Sequence, residues 1–295
     1  MSEPTLHHTP CPDAHGSHRM AWWSWGNPQA GHVVVCVHGL SRQGRDFDVL
    51  AQSLCRRAGS GLRVVCPDVV GRGESDWLGD PSGYQVPQYA ADMLVLLAEL
   101  QPAVLDWVGT SMGGLIGLGV CAHQQTPPVR RLVLNDVGPA IEWQALQRIG
   151  QYLGRAGSFD SLQQAADALA EISRSFGPHT PGQWLALSRP MVKPLDRCSG
   201  RLRLHYDPSI ALPFRALTEE QARQGEAALW QVYDQLRLPT LLLRGAESDL
   251  LSPATAHAMT QRGPRARLQE YAGVGHAPTL VADDQVQAVA DFLLG

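Results

Sequence analysis

The chain has no long apolar run. No stretch approaches the roughly 18 uninterrupted apolar residues of a membrane-spanning helix, which excludes a transmembrane class. A strong charge of either sign is also missing. Lys and Arg number 24 against 28 Asp and Glu, without a polybasic block, so neither nucleic acid nor an anionic membrane is an expected partner. The six cysteines (Cys11, Cys36, Cys55, Cys66, Cys121, Cys198) contain no C-x-x-C pair. Cys36 and Cys66 fall in apolar runs, where a free thiol acts as a small hydrophobe, and a reducing, cytoplasmic compartment is expected. The N-terminus lacks an apolar h-region, so residues 1–19 read as a flexible polar tail rather than a secretory signal. His7, His8, His15 and His18 are taken as solvated side chains of that tail, and no metal or cofactor is expected.

What is present suffices for a large core: 44% of the 295 residues are apolar, which excludes disorder for most of the chain. The length is about twice the commonest domain size of roughly 100–150 residues. Two ordinary domains or one α/β domain with an insertion would both fit. Val33–Val37 (V-V-V-C-V) is continuously apolar, as a strand buried on both faces requires. Arg63–Cys66, Leu105–Val108 and Arg131–Leu134 read as further strands. Helical spacing intervenes at Phe47, Leu50, Ala51 and Leu54, over Tyr89–Leu100, and from Gly109 through Ala122. This alternation predicts an α/β fold with a doubly wound, mostly parallel sheet. Residues 140–236 are rich in Ala, Gln and Leu, broken by prolines, with no convincing buried strand. Strand signals return at Leu241–Leu243 and Arg267–Tyr271 before a terminal amphipathic helix. The expectation is one core, residues 20–139 and 237–295, with residues 140–236 inserted as a helical cap.

The segment with chemical content is Gly109-Thr110-Ser111-Met112-Gly113, a G-x-S-x-G between a predicted strand and a predicted helix. In that context the pattern makes a tight elbow. Glycines let strand and helix approach, and the serine is exposed at the carboxyl edge of the sheet, where ligands bind in such folds. A serine hydroxyl needs a base and a group to orient that base. His276, in Gly273-Val-Gly-His-Ala-Pro, follows the last strand and is the favoured base over His205 or His257. Asp249, just past the Leu241–Leu243 strand, is the favoured acid and completes the order Ser, Asp, His. Glu247 is a competitor expected to face solvent. Asp136, in Leu134-Asn-Asp-Val-Gly-Pro, is the alternative acid from another strand end. Donors for a developing oxyanion are expected from the backbone N–H groups of Met112 and of Leu40, in the His38-Gly39-Leu40 turn.

Taken in order, H-G-L at 38–40, P-D-V-V-G-R-G-E-S at 67–75, G-T-S-M-G-G at 109–114, R-G-A-E-S-D at 244–249 and G-V-G-H at 273–276 resemble the α/β-hydrolase fold family. The similarity is to its small, cofactor-free esterase/lactonase-like branch, from about residue 20 to the end. It implies Ser111, Asp249 and His276 as the triad and Leu40 and Met112 as oxyanion donors. Asp68 with Gly71-Arg72-Gly73 looks like the family's structural turn, without a chemical role. Haloalkane dehalogenases and epoxide hydrolases of this fold carry Asp at the elbow, so Ser111 argues against both. The meta-cleavage C–C hydrolases share the triad and cap but typically continue H-G-x-G-P, where this chain has Leu40-Ser41-Arg42. Enol-lactonases and cofactor-free perhydrolases have closely similar elbows.

Substrate choice is expected to rest with the cap. Trp143, Trp184 and Trp230 offer apolar faces. Arg201, Arg203 and His205 alternate onto one side of the stretch that continues into Tyr206, and would suit a substrate carboxylate if that side faced the pocket. The expected function is hydrolysis of a small-molecule ester or lactone through an acyl-enzyme on Ser111. C–C bond hydrolysis with the same triad, or a small-molecule receptor on a hydrolase fold, are the alternatives.

Overall fold

The computed structural model describes residues 3–123, 127–155 and 157–295. In chain order the first half runs β1 (Thr5–Asp13), β2 (Gly16–Gly26), β3 (His32–Val37), α1 (Asp48–Ala58), β4 (Leu62–Pro67), α2 (Val86–Leu100), β5 (Val104–Thr110), α3 (Met112–Ala122) and β6 (Val129–Asn135). The inserted region follows as α4 (Trp143–Tyr152), β7 (Ser158–Phe159), α5 (Leu162–Ile172), α6 (Pro181–Ser188), β8 (Val192–Pro194), β9 (Leu202–Leu204), α7 (Ala211–Ala216) and α8 (Glu219–Gln235). The core then resumes with β10 (Thr240–Gly245), α9 (Pro253–Gln261), β11 (Arg267–Tyr271) and α10 (Asp283–Leu294).

Eight strands form one sheet in the order β1-β2-β4-β3-β5-β6-β10-β11. All neighbours from β4 to β11 are parallel, and β1 and β2 join antiparallel at one edge. Both faces are covered, which explains the continuous apolar strands. Val33, Val35 and Val37 of β3 enter one apolar cluster with Met93, Leu96 and Ile116 of α2 and α3. The intervening Val34 and Cys36 enter the opposite cluster with Leu50 and Leu54 of α1 and Val289 and Leu293 of α10. With a period of two, a strand feeding both faces must be apolar at every position.

The N-terminus differs from expectation. Residues 5–13 are not a loose tail but the edge strand of a hairpin, paired from Thr5↔Ser24 to Asp13↔Gly16. Its partly or fully buried positions alternate: His7, Thr9, Cys11 and Asp13. His7 stacks on Trp22 at 4.0 Å, and Trp22 Nε1 donates to Thr9 Oγ1. His18 is buried between Asp13 and Asp92, 3.0 Å from each. Pro10 and Pro12 occupy outward positions, where an edge strand tolerates the missing N–H. Counting Pro and His hid the alternation.

The inserted region also departs from the purely helical expectation: β7, β9 and β8 form a small antiparallel sheet. At its far end α8 packs on α3. Tyr233 of α8 is fully buried and its hydroxyl donates to Met259 O. This helix therefore sits with the core helices although it lies inside the 140–236 range. No helix among the described residues is long and apolar enough to cross a membrane.

Candidate active site

Ser111 sits between β5 and α3 at φ 52°, ψ −118°, a conformation non-glycine residues rarely adopt. The turn closes because its neighbours have no side chains. A Cβ on Gly109 would lie 2.3 Å from Gly113 O, and one on Gly113 would lie 1.9 Å from Val37 O. Ser111 N–H donates to Asn135 O of β6 and Ser111 O accepts from Gly114 N–H, so both sides of the elbow are tied down.

His276 Nε2 lies 2.9 Å from Ser111 Oγ, and His276 Nδ1 lies 2.7 Å from an oxygen of Asp136. Asp136 immediately follows β6, has φ 55° and is fully buried. Its carboxylate also accepts from Ser248 Oγ at 2.6 Å and from Gly245 N–H at 3.0 Å. Three donors, two from the β10 end and one from the histidine loop, therefore converge on one carboxylate.

The favoured acid of the sequence reading is elsewhere. Asp249 is 51% exposed and forms an ion pair at 2.6 Å with Arg148 of α4. In the turn after β10, Glu247 and Asp249 face solvent while Ser248 between them points inward. Glu247 behaves as expected. The hydrogen-bonded chain from Ser111 through His276 therefore ends on Asp136, the alternative, and Asp249 is corrected to a surface ion pair. Ser248 was not singled out from the sequence, and a serine flanked by two acids carries no signal that it will face a third.

Gly39 places the turn after β3 beside Ser111: a Cβ there would be 3.6 Å from Ser111 Cβ. Leu40 follows in this turn. Met112 is the first residue of α3, where an N–H has no intrahelical acceptor. His38, fully buried, holds the turn from behind. Its Nδ1 bonds Gly39 O at 2.7 Å, and its Nε2 accepts from Val69 N–H at 2.9 Å. Burial pushes its pKa down to about 3, consistent with a neutral ring whose Nε2 lone pair is in use. Asp68 accepts from Gly44 N–H, Glu74 N–H and Trp23 Nε1–H, fixing the following turn.

A cavity of about 40 Å³ adjoins the elbow, bordered by Gly39, Arg42, Thr110, Phe176, Leu187 and Pro278. The inserted region grips the histidine loop here. Ser175 Oγ donates to His276 O, Gly275 N–H donates to Ser175 O, and His179 Nε2 lies 2.7 Å from Thr279 Oγ1. Trp184, which does not border that cavity, stacks on Phe176 and tilts against His179. The expected cap residues are otherwise engaged. Arg201 pairs with Asp160, and Arg203 lies over the Trp77 ring. His205 faces Pro190 O and Glu74, while Tyr206 Oη accepts from Gly154 N–H. Trp143 opens α4 half-buried, and Trp230 packs edge-on against Tyr233 under Arg262. None of these borders the cavity. The guanidinium that does border it, Arg42, is held bidentately by Asp46.

For metal binding, Cys11, His18 and Asp92 offer ligand atoms within 4.8 Å of one another. Both His18 nitrogens already bond carboxylates, and burial pushes the Cys11 thiol up to about 12. Through these contacts the cluster ties the hairpin to α2.

A strained serine on a strand-to-helix elbow, bonded to a histidine that is bonded to a buried carboxylate, defines the chemistry of an activated nucleophile. Residues 32–283 match the model of the alpha/beta hydrolase fold family, and the chain belongs to that family. It is 46% identical over 295 residues to a 3-hydroxybutyrate-oligomer hydrolase of Cupriavidus necator, covering 100% of this chain and 99% of that protein. A pimeloyl-acyl-carrier-protein methyl ester esterase of Xanthomonas campestris is 27% identical over 266 residues, 87% of this chain and 92% of the relative. Among solved structures, an alpha/beta hydrolase from Novosphingobium aromaticivorans superposes with a TM-score of 0.81 at 33% identity, covering 99% of both chains.

Proposed function

We propose that this protein hydrolyses short linear oligoesters of 3-hydroxybutyrate, with Ser111 as nucleophile, His276 as base and Asp136 as the acid that orients it. The observation that carries the substrate class is the 46% identity to the oligomer hydrolase over the whole chain. The chain is an ester-cleaving serine hydrolase of the carboxylesterase type. In the proposed reaction His276 Nε2 takes the proton of Ser111 Oγ as that oxygen attacks an ester carbonyl. The Leu40 and Met112 N–H groups receive the oxyanion, and Asp136 stabilises the imidazolium. His276 then protonates the departing hydroxyl oxygen of the next unit. Water, deprotonated by His276, resolves the acyl-enzyme and frees Ser111.

Residues 140–217, which include the Ser175–His179 grip on the histidine loop, are assigned to the cap that shapes the substrate site. All six cysteines are free thiols, which supports a reducing cytoplasmic setting.

The test is covalent labelling by a fluorophosphonate followed by turnover of the 3-hydroxybutyrate dimer and trimer. Ser111→Ala is expected to lose both label and turnover. Absence of label on folded wild type defeats the serine hydrolase reading. Turnover of p-nitrophenyl butyrate without cleavage of either oligomer defeats the substrate assignment alone.

A further inference from the structure

Behind the two expected oxyanion donors lies a buried cation that the triad does not use. Arg72 belongs to the Gly71-Arg72-Gly73 turn and is 0% exposed. Its Nε donates to Leu40 O at 2.8 Å, its Nη1 donates to Val70 O at 2.7 Å and to Tyr89 Oη at 3.0 Å, and its Nη2 lies 3.8 Å from Met112 Sδ. The rings of Tyr84 and Tyr89 lie 5.8 and 5.0 Å from the guanidinium carbon. These partners are two carbonyls, a phenol and a thioether, and none is a carboxylate. Asp207, held in the same region, is engaged by the Tyr84 hydroxyl at 2.6 Å. A charge removed from water without a counter-ion is costly, and hydrogen bonds to neutral groups offset only part of that cost. Here the cation touches both residues assigned above as oxyanion donors, Leu40 through its carbonyl and Met112 through its thioether. Its field also reaches the β3 end, where it adds to the lowering of His38.

We propose that Arg72 is a positioning residue of the ester hydrolysis: it fixes the Leu40 loop through Leu40 O and supplies, from behind Leu40 and Met112, a buried positive charge that stabilises the oxyanion as it forms. The inference rests on the acyl-transfer reading above. It follows from the general rule that fixed charge in a dry site acts most strongly on charge that develops during the reaction. Arg72 exchanges no proton and forms no bond with substrate. Its contribution therefore falls on kcat and on transition-state mimics, not on ground-state binding.

The experiment compares wild type, Arg72→Lys and Arg72→Met using p-nitrophenyl butyrate and the trifluoromethyl ketone 1,1,1-trifluorohexan-2-one, with thermal unfolding measured alongside. For Arg72→Met, kcat is expected to fall 10- to 100-fold with KM within threefold, and ketone affinity to fall by a matching factor. For Arg72→Lys, which keeps the charge but loses the fork onto Leu40, both are expected to fall three- to tenfold. A folded Arg72→Met enzyme with wild-type kcat and ketone affinity overturns the proposal. If that variant does not fold, wild-type values of both quantities in Arg72→Lys overturn it instead. A wild type that neither takes a fluorophosphonate on Ser111 nor turns over the ester defeats the acyl-transfer reading itself, which is a different failure.

Discussion

The carboxyl ends of β6 and β10 look alike in sequence. Each closes an apolar strand and delivers an aspartate within a few residues, yet they do opposite things. At the β6 end Asp136 follows the strand directly, turns inward at positive φ and gathers three donors, His276 among them. At the β10 end the turn spends its inward position on Ser248, and Asp249 faces solvent beside Arg148. The lesson is that distance from the strand end matters more than residue type. The side chain that immediately leaves the sheet edge is held by neighbouring strands, whereas one four residues along the turn is held by nothing in the core.

The largest effect should come from setting the two aspartates against each other. Asp136→Asn is expected to lower kcat by about 10⁴, because an amide at this position favours the wrong tautomer of the base. Asp249→Asn should leave kcat within twofold. Steady-state kinetics on p-nitrophenyl butyrate reads both, and the reverse ranking would restore Asp249 to the triad.

A third strand end, that of β3, sharpens the comparison through pH. The pKa of His38 is near 3 in the fold against an ordinary value of 6.5, so the unfolded chain binds the extra proton between those values. Its contribution to stability is intact above about pH 6.5 and is lost as pH falls toward 3, at up to ~1.4 kcal/mol per pH unit. For His18, burial alone would lower the pKa, but hydrogen bonds to Asp92 and Asp13 raise it. Its contribution is therefore present on the acid side and lost as pH rises. Urea midpoints from pH 7 to 4 should show a shallower decline in His38→Gln than in wild type, by up to one proton.

Smaller again is Ser248→Ala, which removes one of the three donors to Asp136. Losing a hydrogen bond to a charged group costs about 1.5–3 kcal/mol, read as a lower urea midpoint, with a three- to tenfold fall in kcat. Arg148→Ala, which breaks only the exposed pair with Asp249, should cost less than ~1 kcal/mol and leave kcat unchanged.

Much of this was legible in residues alone. The strands announce themselves because burial on both faces demands continuous apolarity. The elbow does so because only Gly109 and Gly113 let β5 and α3 meet. His276 follows from chain order. The hairpin strand β1 was not legible, because its alternation runs through Pro, His, Thr and Cys, residues that composition assigns to a tail. The strands β7, β8 and β9 of the small sheet, two or three residues each, are too short to carry a period. Ser175 and His179, which grip the histidine loop, gave no signal at all, since their partners lie about 100 residues away.

By itself, then, the chain determined the parallel core, the serine elbow and the histidine that meets it, because these depend on local geometry: period, glycine placement and position after a strand. Tertiary structure alone decided which aspartate bonds the histidine and that Arg72 is buried against Leu40 and Met112. Both depend on which groups from separate strands converge above the sheet edge, and convergence is a property of packing across the sheet rather than of any segment within it.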